Sequence, residues 1–169
     1  MKKNDKKIYP GLPKDIKSEI RLSNGKAERI AKVIARSGLC SRREAERLIT
    51  NGKVKVNNKT LWECGVNVSS KDQIEVNDRP LATRVETKLW LYNKQRGYLV
   101  TNYDLEDRPT IFDQLKEKIE TRLISVGRLD MDSEGLLLLT NNGDLARKLE
   151  LPSTGWLRKY RVRVHGYVN

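Results

Sequence analysis

The chain has 169 residues, 37% of them hydrophobic, and a formal net charge of +12, which allows two small domains or one medium one and favours a polyanion as partner. The longest apolar run, Leu136–Leu139, is too short for a membrane span, and the amino terminus "MKKNDKKIYP" lacks the apolar stretch of a signal peptide. Cys40, Cys64 and His165 are too few for a structural zinc site, so we expect reduced cysteines, no metal and a cytoplasmic protein.

The first 25 residues differ from the rest in composition. They contain seven basic and three acidic side chains, together with Pro10 and Pro13, and show little hydrophobic periodicity. Such a composition cannot bury enough apolar surface to fold alone. We therefore predict a disordered basic arm over residues 1–25.

Two short helices and several strands are predicted next. From Lys26, apolar residues recur at helical spacing up to Gly38. In "CSRREAERLITNG", Ser41 and Glu44 form a capping box, and Gly52 ends the second helix. The alternation in "KVKV" and "DQIEV" predicts strands, each followed by a turn, at Asn57-Asn58 and Asn77-Asp78.

This small α/β module has a concentration of basic residues on its helices. Arg42 and Arg43 lie directly behind a helix cap, where exposed N–H groups already favour an anion. The alternative is that Glu44 and Glu46 neutralise them; the combination favours nucleic acid. The candidate nucleic-acid-binding residues are Arg29, Lys32, Arg36, Ser41, Arg42, Arg43, Arg47 and Lys53.

The stretch "SGLCSRREAERLITNGKVKVNNK" resembles the S-four-like RNA-binding module. The resemblance extends over roughly residues 26–72 and includes the cap, the glycine stop and the strand in the same order. It implies a basic face for structured RNA but does not determine an activity. We predict this module over residues 26–85.

From residue 86 a second unit is predicted. "KLWLYNK" and "RLISVGRL" are strand candidates, and "RPTIFDQLKEKI" is a helix candidate with Pro109 near its start. Asp144 is the predicted cap of a helix that runs to Leu149. The alternation in "KYRVRVHGYV" predicts a strand over Tyr160–Val164.

The stretch "VGRLDMDSEGLLLLTNNGDLARKL" contains three closely spaced acids, Asp130, Asp132 and Glu134, which suggest a metal-binding or catalytic site. If an EF-hand loop is counted from Asp130, Gly135 occupies the position that requires glycine. The twelfth residue, however, is Asn141, which cannot chelate a cation with two charged oxygens as glutamate does. A glycosidase-like pair of Asp130 and Asp132, or simple loop residues, are the other possibilities. An acid between Arg128 and four leucines would be partly desolvated and kept ionised.

The same stretch is similar, almost residue for residue, to the signature of RNA pseudouridine synthases of the RsuA-like, ribosomal RNA branch. "LYNKQRGYLVTN", "EDRPTIFDQL" and "RKYRVRVHG" agree with the flanks of that signature. The resemblance implies that Asp130 is the catalytic aspartate, that Arg128 holds the nucleotide, and that Tyr160 stacks on the base. It also implies an enzyme without cofactor or metal.

The reaction implied by the resemblance detaches uracil from its ribose, rotates it and rejoins it through carbon 5. Asp130 would attack the anomeric carbon or remove a proton from the neighbouring carbon, and the residues leave both roles open. The implied partner is ribosomal RNA or a pre-ribosomal particle, with the protein acting as a monomer. The alternatives are a non-enzymatic RNA-binding protein derived from a synthase, and an enzyme completed by another chain.

The expected fold class is α+β: a small α/β RNA-binding module, then part of a mixed or antiparallel-sheet synthase domain over residues 86–169. Two departures from the family pattern accompany this prediction. Asn93-Lys94-Gln95 replaces the usual Asn-Lys-Pro. The family domain also continues beyond the strand predicted at Tyr160–Val164, with a basic partner for the catalytic aspartate, so we expect residues 86–169 to form its amino-terminal half.

Overall fold

The computed structural model describes residues 27–82 and 85–166, so the arm predicted over residues 1–25 lies outside the described residues. Within residues 27–82, the amino-terminal module consists, in chain order, of β1 (Glu28–Arg29), α1 (Ile30–Arg36), α2 (Arg42–Thr50), β2 (Val54–Val56), β3 (Lys59–Leu61), β4 (Asn67–Val68), β5 (Ile74–Val76) and β6 (Arg79–Pro80). Within residues 85–166, the carboxy-terminal unit consists of β7 (Leu89–Lys94), α3 (Ile111–Lys116), β8 (Ile124–Val126), β9 (Gly135–Thr140), α4 (Gly143–Glu150) and a 3-10 turn at Pro152–Thr154. In the described ranges, no helix has the length and apolar character needed to cross a membrane.

The amino-terminal module is built around the two predicted helices. The Ser41 hydroxyl caps α2 by accepting from the Glu44 N–H at 3.1 Å, which confirms the cap. The Glu44 carboxylate accepts from Arg47 and does not return a hydrogen bond to the Ser41 N–H, so the predicted capping box is incomplete. The first helix begins at Ile30 rather than at Lys26, because residues 28–29 pair as a short strand with β4. The core consists of the buried side chains Ile30, Ala31, Ile34, Ala45, Ile49, Val54, Val68 and Val76.

A four-stranded antiparallel sheet in the order β3-β2-β5-β6 covers this core. Val54 pairs with Val76 in the neighbouring strand, so the alternation seen in the sequence places both valines on the buried face. Asn57-Asn58 and Asn77-Asp78 have positive φ angles between 50° and 65°. Asparagine and aspartate tolerate this conformation in tight hairpin turns, and both predicted turns are confirmed.

The carboxy-terminal unit contains a three-stranded antiparallel sheet in the order β7-β9-β8. Trp90 lies opposite Leu139 and Tyr92 opposite Leu137, and these inward side chains pack with the buried face of α3. Thr110 caps α3 in a complete capping box with Asp113. A mixed helix and antiparallel-sheet structure is the fold class that the sequence predicts.

The predicted cap of α4 is wrong: the cap is Asn142 and not Asp144. The side-chain oxygen of Asn142 accepts from the N–H groups of Asp144 and Leu145 at 2.9 and 3.4 Å. Its amide also donates to the hydroxyl of Thr87 at 2.9 Å. Asn142 is buried, so it joins the helix start to the segment that precedes β7.

The strand predicted over Tyr160–Val164 is also wrong. Residues 155–166 form no strand, and Tyr160, Val162 and Val164 are exposed. An alternating sequence becomes a strand only when a neighbouring strand accepts its backbone hydrogen bonds, and no described strand pairs with this segment.

An ion-pair cluster joins the amino-terminal module to the carboxy-terminal unit. Both guanidinium nitrogens of Arg36 donate to the carboxylate of Glu28 at 2.6 Å. Asp144, at the start of α4, accepts from Arg36 at 3.1 Å and pairs with Lys32 at 2.9 Å. Hydrogen bonding by Arg36, and to a lesser degree by Lys32, lowers the pKa of Glu28 to about 2.

We expect Glu28→Gln to lower the free energy of unfolding by about 1 to 2 kcal/mol at pH 7. The folded pKa of Glu28 is below the ordinary value of 4.5, so its contribution is complete above pH 4.5 and is lost as the pH falls towards 2. Denaturant unfolding of wild type and variant at several pH values checks this: the difference should shrink between pH 4.5 and 2. The exposed Glu63, changed to Gln, is the control, and a difference independent of pH would contradict the prediction.

Candidate active site

The acidic stretch forms the loop between β8 and β9, here called the Asp130 loop (residues 127–134). It begins at Gly127, whose φ of +72° favours glycine and whose N–H donates to the Glu150 carboxylate at 2.7 Å. The Ser133 N–H donates to the Asp130 carbonyl at 3.0 Å and closes a tight turn. The Asp130 side chain is exposed on this turn.

A buried lysine holds the backbone of the Asp130 loop in place. Lys94, the last residue of β7, is 0% exposed. Its ammonium donates to the carbonyl oxygens of Asp130, Met131 and Ser133 at 2.9, 3.2 and 2.8 Å, and to that of Gln95 at 3.0 Å. The main chain of Asp130 is therefore held by a charge-assisted hydrogen bond, while its carboxylate remains accessible.

Two carboxylates of the Asp130 loop interact with the positive charge of Lys94. Burial lowers the pKa of Lys94, and the carboxylates of Asp132 and Asp130 oppose that shift. The expectation that Asp130 is partly desolvated beside Arg128 is wrong, because both side chains are exposed. The Asp130 carboxylate does interact with the charge of Lys94, on the neighbouring strand.

The four leucines that follow the loop anchor it in the sheet. Leu137 and Leu139 are buried against α3, whereas Leu136 is exposed. This alternation places "LLLLT" in β9 and leaves no chelating loop of the EF-hand kind. In the described part of the chain, no three His, Cys, Asp or Glu side chains are grouped so that they could hold a metal ion.

The candidate RNA-binding residues divide into two sets. Lys32 and Arg36 are held in the ion-pair cluster with Glu28 and Asp144, and Arg29 donates to the Gly65 carbonyl. The second set lies around α2 and just after it and consists of the exposed residues Arg42, Arg43, Arg47 and Lys53, next to the cap residue Ser41. Within this set Arg42 pairs with Glu46 at 3.8 Å and Arg47 with Glu44 at 3.3 Å, whereas Arg43 and Lys53 form no ion pair with another described residue.

Comparison with known families matches both parts of the chain. The model described as "S4 domain" matches residues 28–74, and the model described as "RNA pseudouridylate synthase" matches residues 88–169. Residues 88–169 belong to the RNA pseudouridine synthase family. The S4 domain precedes this synthase domain, as the sequence resemblance implies.

Two curated relatives show how far the similarity to this family extends. An uncharacterized RNA pseudouridine synthase of Rickettsia typhi is 47% identical over 83% of this chain and 57% of its own length. Ribosomal large subunit pseudouridine synthase B of Bacillus subtilis is 45% identical over 82% of this chain and 56% of its own length. The chain thus spans somewhat more than half the length of these synthases. A solved structure titled "Crystal structure of pseudouridylate synthase" matches 71% of this chain and 51% of that chain, at 32% identity and a TM-score of 0.37.

Tyr160, the predicted base-stacking residue of the synthase, lies apart from the sheet. It is 72% exposed and belongs to the segment of residues 155–166 that forms no strand. The Tyr160 side chain forms no hydrogen bond with another described residue. The structure therefore brings Lys94 and Asp130 together and leaves Tyr160 on its own.

Lys94 is a residue beside the Asp130 loop to which the sequence interpretation assigns no role. In that interpretation Asn93-Lys94-Gln95 is only a departure from the usual Asn-Lys-Pro. The signal was present in β7, where Trp90, Tyr92 and Lys94 alternate with exposed residues. An inward-facing lysine at the end of an amphipathic strand requires buried acceptors, and the carbonyls of the Asp130 loop supply them.

Proposed function

We propose that this chain supplies the RNA-binding module and the catalytic aspartate of an RNA pseudouridine synthase that modifies a uridine in ribosomal RNA. The observation that carries the proposal is the Asp130 loop, in which Lys94 holds the backbone and Asp130 keeps an exposed carboxylate. The printed names of the relatives, among them a ribosomal large subunit synthase, support ribosomal RNA as the substrate class.

The reaction exchanges one glycosidic bond for another. The bond between ribose C1′ and uracil N1 breaks, a bond between C1′ and C5 forms, N1 gains a proton, and the hydrogen of C5 leaves to water. Asp130 acts on the sugar, either by attacking C1′ or by removing the proton of C2′. A base within an RNA helix cannot reach an aspartate on a protein loop, so the target uridine must leave its stack.

The other predicted residues are assigned by position. Arg128, two residues before Asp130 and exposed, would contact the phosphate of the extruded nucleotide. Tyr160 would stack on the base, which requires the segment around it to approach the Asp130 loop when RNA binds. The exposed cations of α2 would hold the RNA outside the site, and residues 26–85 and 86–169 would act as the two domains of a cytoplasmic monomer.

The proposal is tested by incubating the protein with ribosomal RNA that carries tritium at C5 of uridine. Formation of pseudouridine releases this tritium into water, whereas RNA binding alone does not. Release that depends on Asp130 supports the synthase. No release, with RNA binding intact, would favour the alternative of a non-enzymatic RNA-binding protein, and release only with an added second chain would favour a split enzyme.

We expect the double variant Arg42→Ala, Arg43→Ala to weaken RNA binding and to flatten its dependence on salt. Each lost phosphate contact should reduce the slope of log K against log salt by roughly 0.7 to 0.9. Binding measured from 50 to 300 mM salt checks this, with Lys116→Ala, Lys118→Ala as a control that removes the same charge from the end of α3. An unchanged slope in the α2 variant would show that the RNA binds to a different surface of the protein.

A further inference from the structure

An exposed tryptophan lies on the surface of the amino-terminal module next to the carboxyl end of α2. Trp62 follows β3 directly and is 65% exposed. The benzene edge of its indole packs on Gly52: a Cβ atom at Gly52 would lie 2.5 Å from Cη2 and 2.7 Å from Cζ3 of Trp62. The φ of +65° at Gly52 also favours glycine. The glycine thus makes room for the ring edge, and most of the indole remains open to solvent.

The sequence around Trp62 is positively charged. From residue 47 to residue 62 the chain carries Arg47, Lys53, Lys55 and Lys59 and no acidic residue; the first acid after them is Glu63. Val54 and Leu61 form the end pair of the β2–β3 ladder, and Lys53 and Trp62 are the residues next to this pair along the chain. Lys55 is paired with Asp78 at 2.6 Å, which leaves Lys53 as the adjacent exposed cation.

The exposed aromatic side chain of Tyr103 has different surroundings. Tyr103, 76% exposed, precedes Asp104, Glu106 and Asp107 in a loop of the carboxy-terminal unit, where negative charge disfavours phosphate. A flat ring flanked by cations suits a nucleotide: the base stacks on the ring while the lysine or arginine contacts the phosphate.

We propose that Trp62 is a stacking surface for an unpaired base of the bound RNA, and that Gly52 and Lys53 form the floor and the phosphate contact of this subsite. The proposal rests on the RNA binding proposed above and deepens it. The module would then recognise RNA that has an unpaired nucleotide at a fixed distance from the α2 cations, and not a continuous duplex. This contact would select the RNA element that the module engages.

The test compares wild type, Trp62→Ala and Trp62→Phe in the full chain, with two probes: a ribosomal RNA hairpin that has an unpaired loop, and a fully paired RNA duplex of the same length. We expect Trp62→Ala to weaken hairpin binding by roughly 5- to 100-fold, the value of one stacked base. Duplex binding and the salt slope should not change, because stacking releases no counterions. Trp62→Phe should restore most of the affinity, and Tyr103→Ala should bind both probes like wild type.

The possible results separate this proposal from RNA binding in general. If wild type binds neither probe, the proposed function itself fails. If wild type binds RNA and Trp62→Ala binds the hairpin equally well, the stacking surface is refuted while RNA binding stands. Equal weakening on both probes, accompanied by a lower unfolding temperature, would make Trp62 a structural residue and also refute the proposal. Quenching of tryptophan fluorescence by the hairpin in wild type, reduced in Trp62→Phe, would support it.

Discussion

Replacing Lys94 with methionine should lower the free energy of unfolding by about 3 kcal/mol and reduce isomerase activity by about 100-fold. Methionine fills most of the space of the lysine side chain but cannot donate hydrogen bonds. Four carbonyl oxygens, including those of Asp130 and Ser133, would then lose the donor that holds them at 2.8 to 3.2 Å. The Asp130 loop would keep its sequence and lose the geometry that presents the carboxylate.

Two measurements check the Lys94 prediction. Urea unfolding gives the change in stability, and tritium release at a temperature where the variant is fully folded gives the change in activity. Lys118→Met, an exposed lysine in the same unit, is the matched control and should change neither quantity appreciably. A Lys94→Met protein within 1 kcal/mol of wild type and fully active would show that the loop does not depend on this ammonium.

Asp130→Asn should abolish uridine isomerisation, with a decrease of roughly three orders of magnitude or more, and leave stability within about 0.5 kcal/mol of wild type. Asparagine has the shape of aspartate, but its amide is neither a nucleophile nor a base. The hydrogen bonds of Asp130 to Lys94 and Ser133 use its main-chain carbonyl, so the substitution preserves them. The variant should therefore bind RNA with unchanged affinity.

The neighbouring acid provides the control for Asp130. Asp132 is exposed in the same loop and also interacts with the charge of Lys94. Asp132→Asn removes the same charge and should retain activity within a few-fold of wild type. Equal losses in the two variants would attribute the effect to the net charge of the loop and not to chemistry at Asp130. Together, Lys94→Met tests how the loop is positioned, and Asp130→Asn tests the chemical role of its carboxylate.

Much of the local structure could be predicted from neighbouring residues. The α2 cap at Ser41, the turns at Asn57-Asn58 and Asn77-Asp78, and the strand β7 depend on short-range chemistry, and the structure confirms them. Two of the wrong predictions have clear physical causes: two residues compete for the cap of α4, and a segment with strand alternation lacks a strand to pair with. Asn142 and Asp144 are both good caps, and the ion pairs of Asp144 with Lys32 and Arg36 leave the cap to Asn142. The segment at Tyr160 has strand alternation without a neighbouring strand.

The sequence by itself determined the family, the catalytic candidate and the basic character of the amino-terminal module. These depend on residue types in a fixed order along the chain, as in "GRLDMDSEG" and "SRREAERL". Tertiary structure decided which cations join the ion-pair cluster between the two units and what holds the Asp130 loop. Arg36 meets Asp144 across 108 residues, and Lys94 meets the Asp130 carbonyl across 36. Such pairings follow from how the strands and helices pack, and no spacing along the chain encodes them.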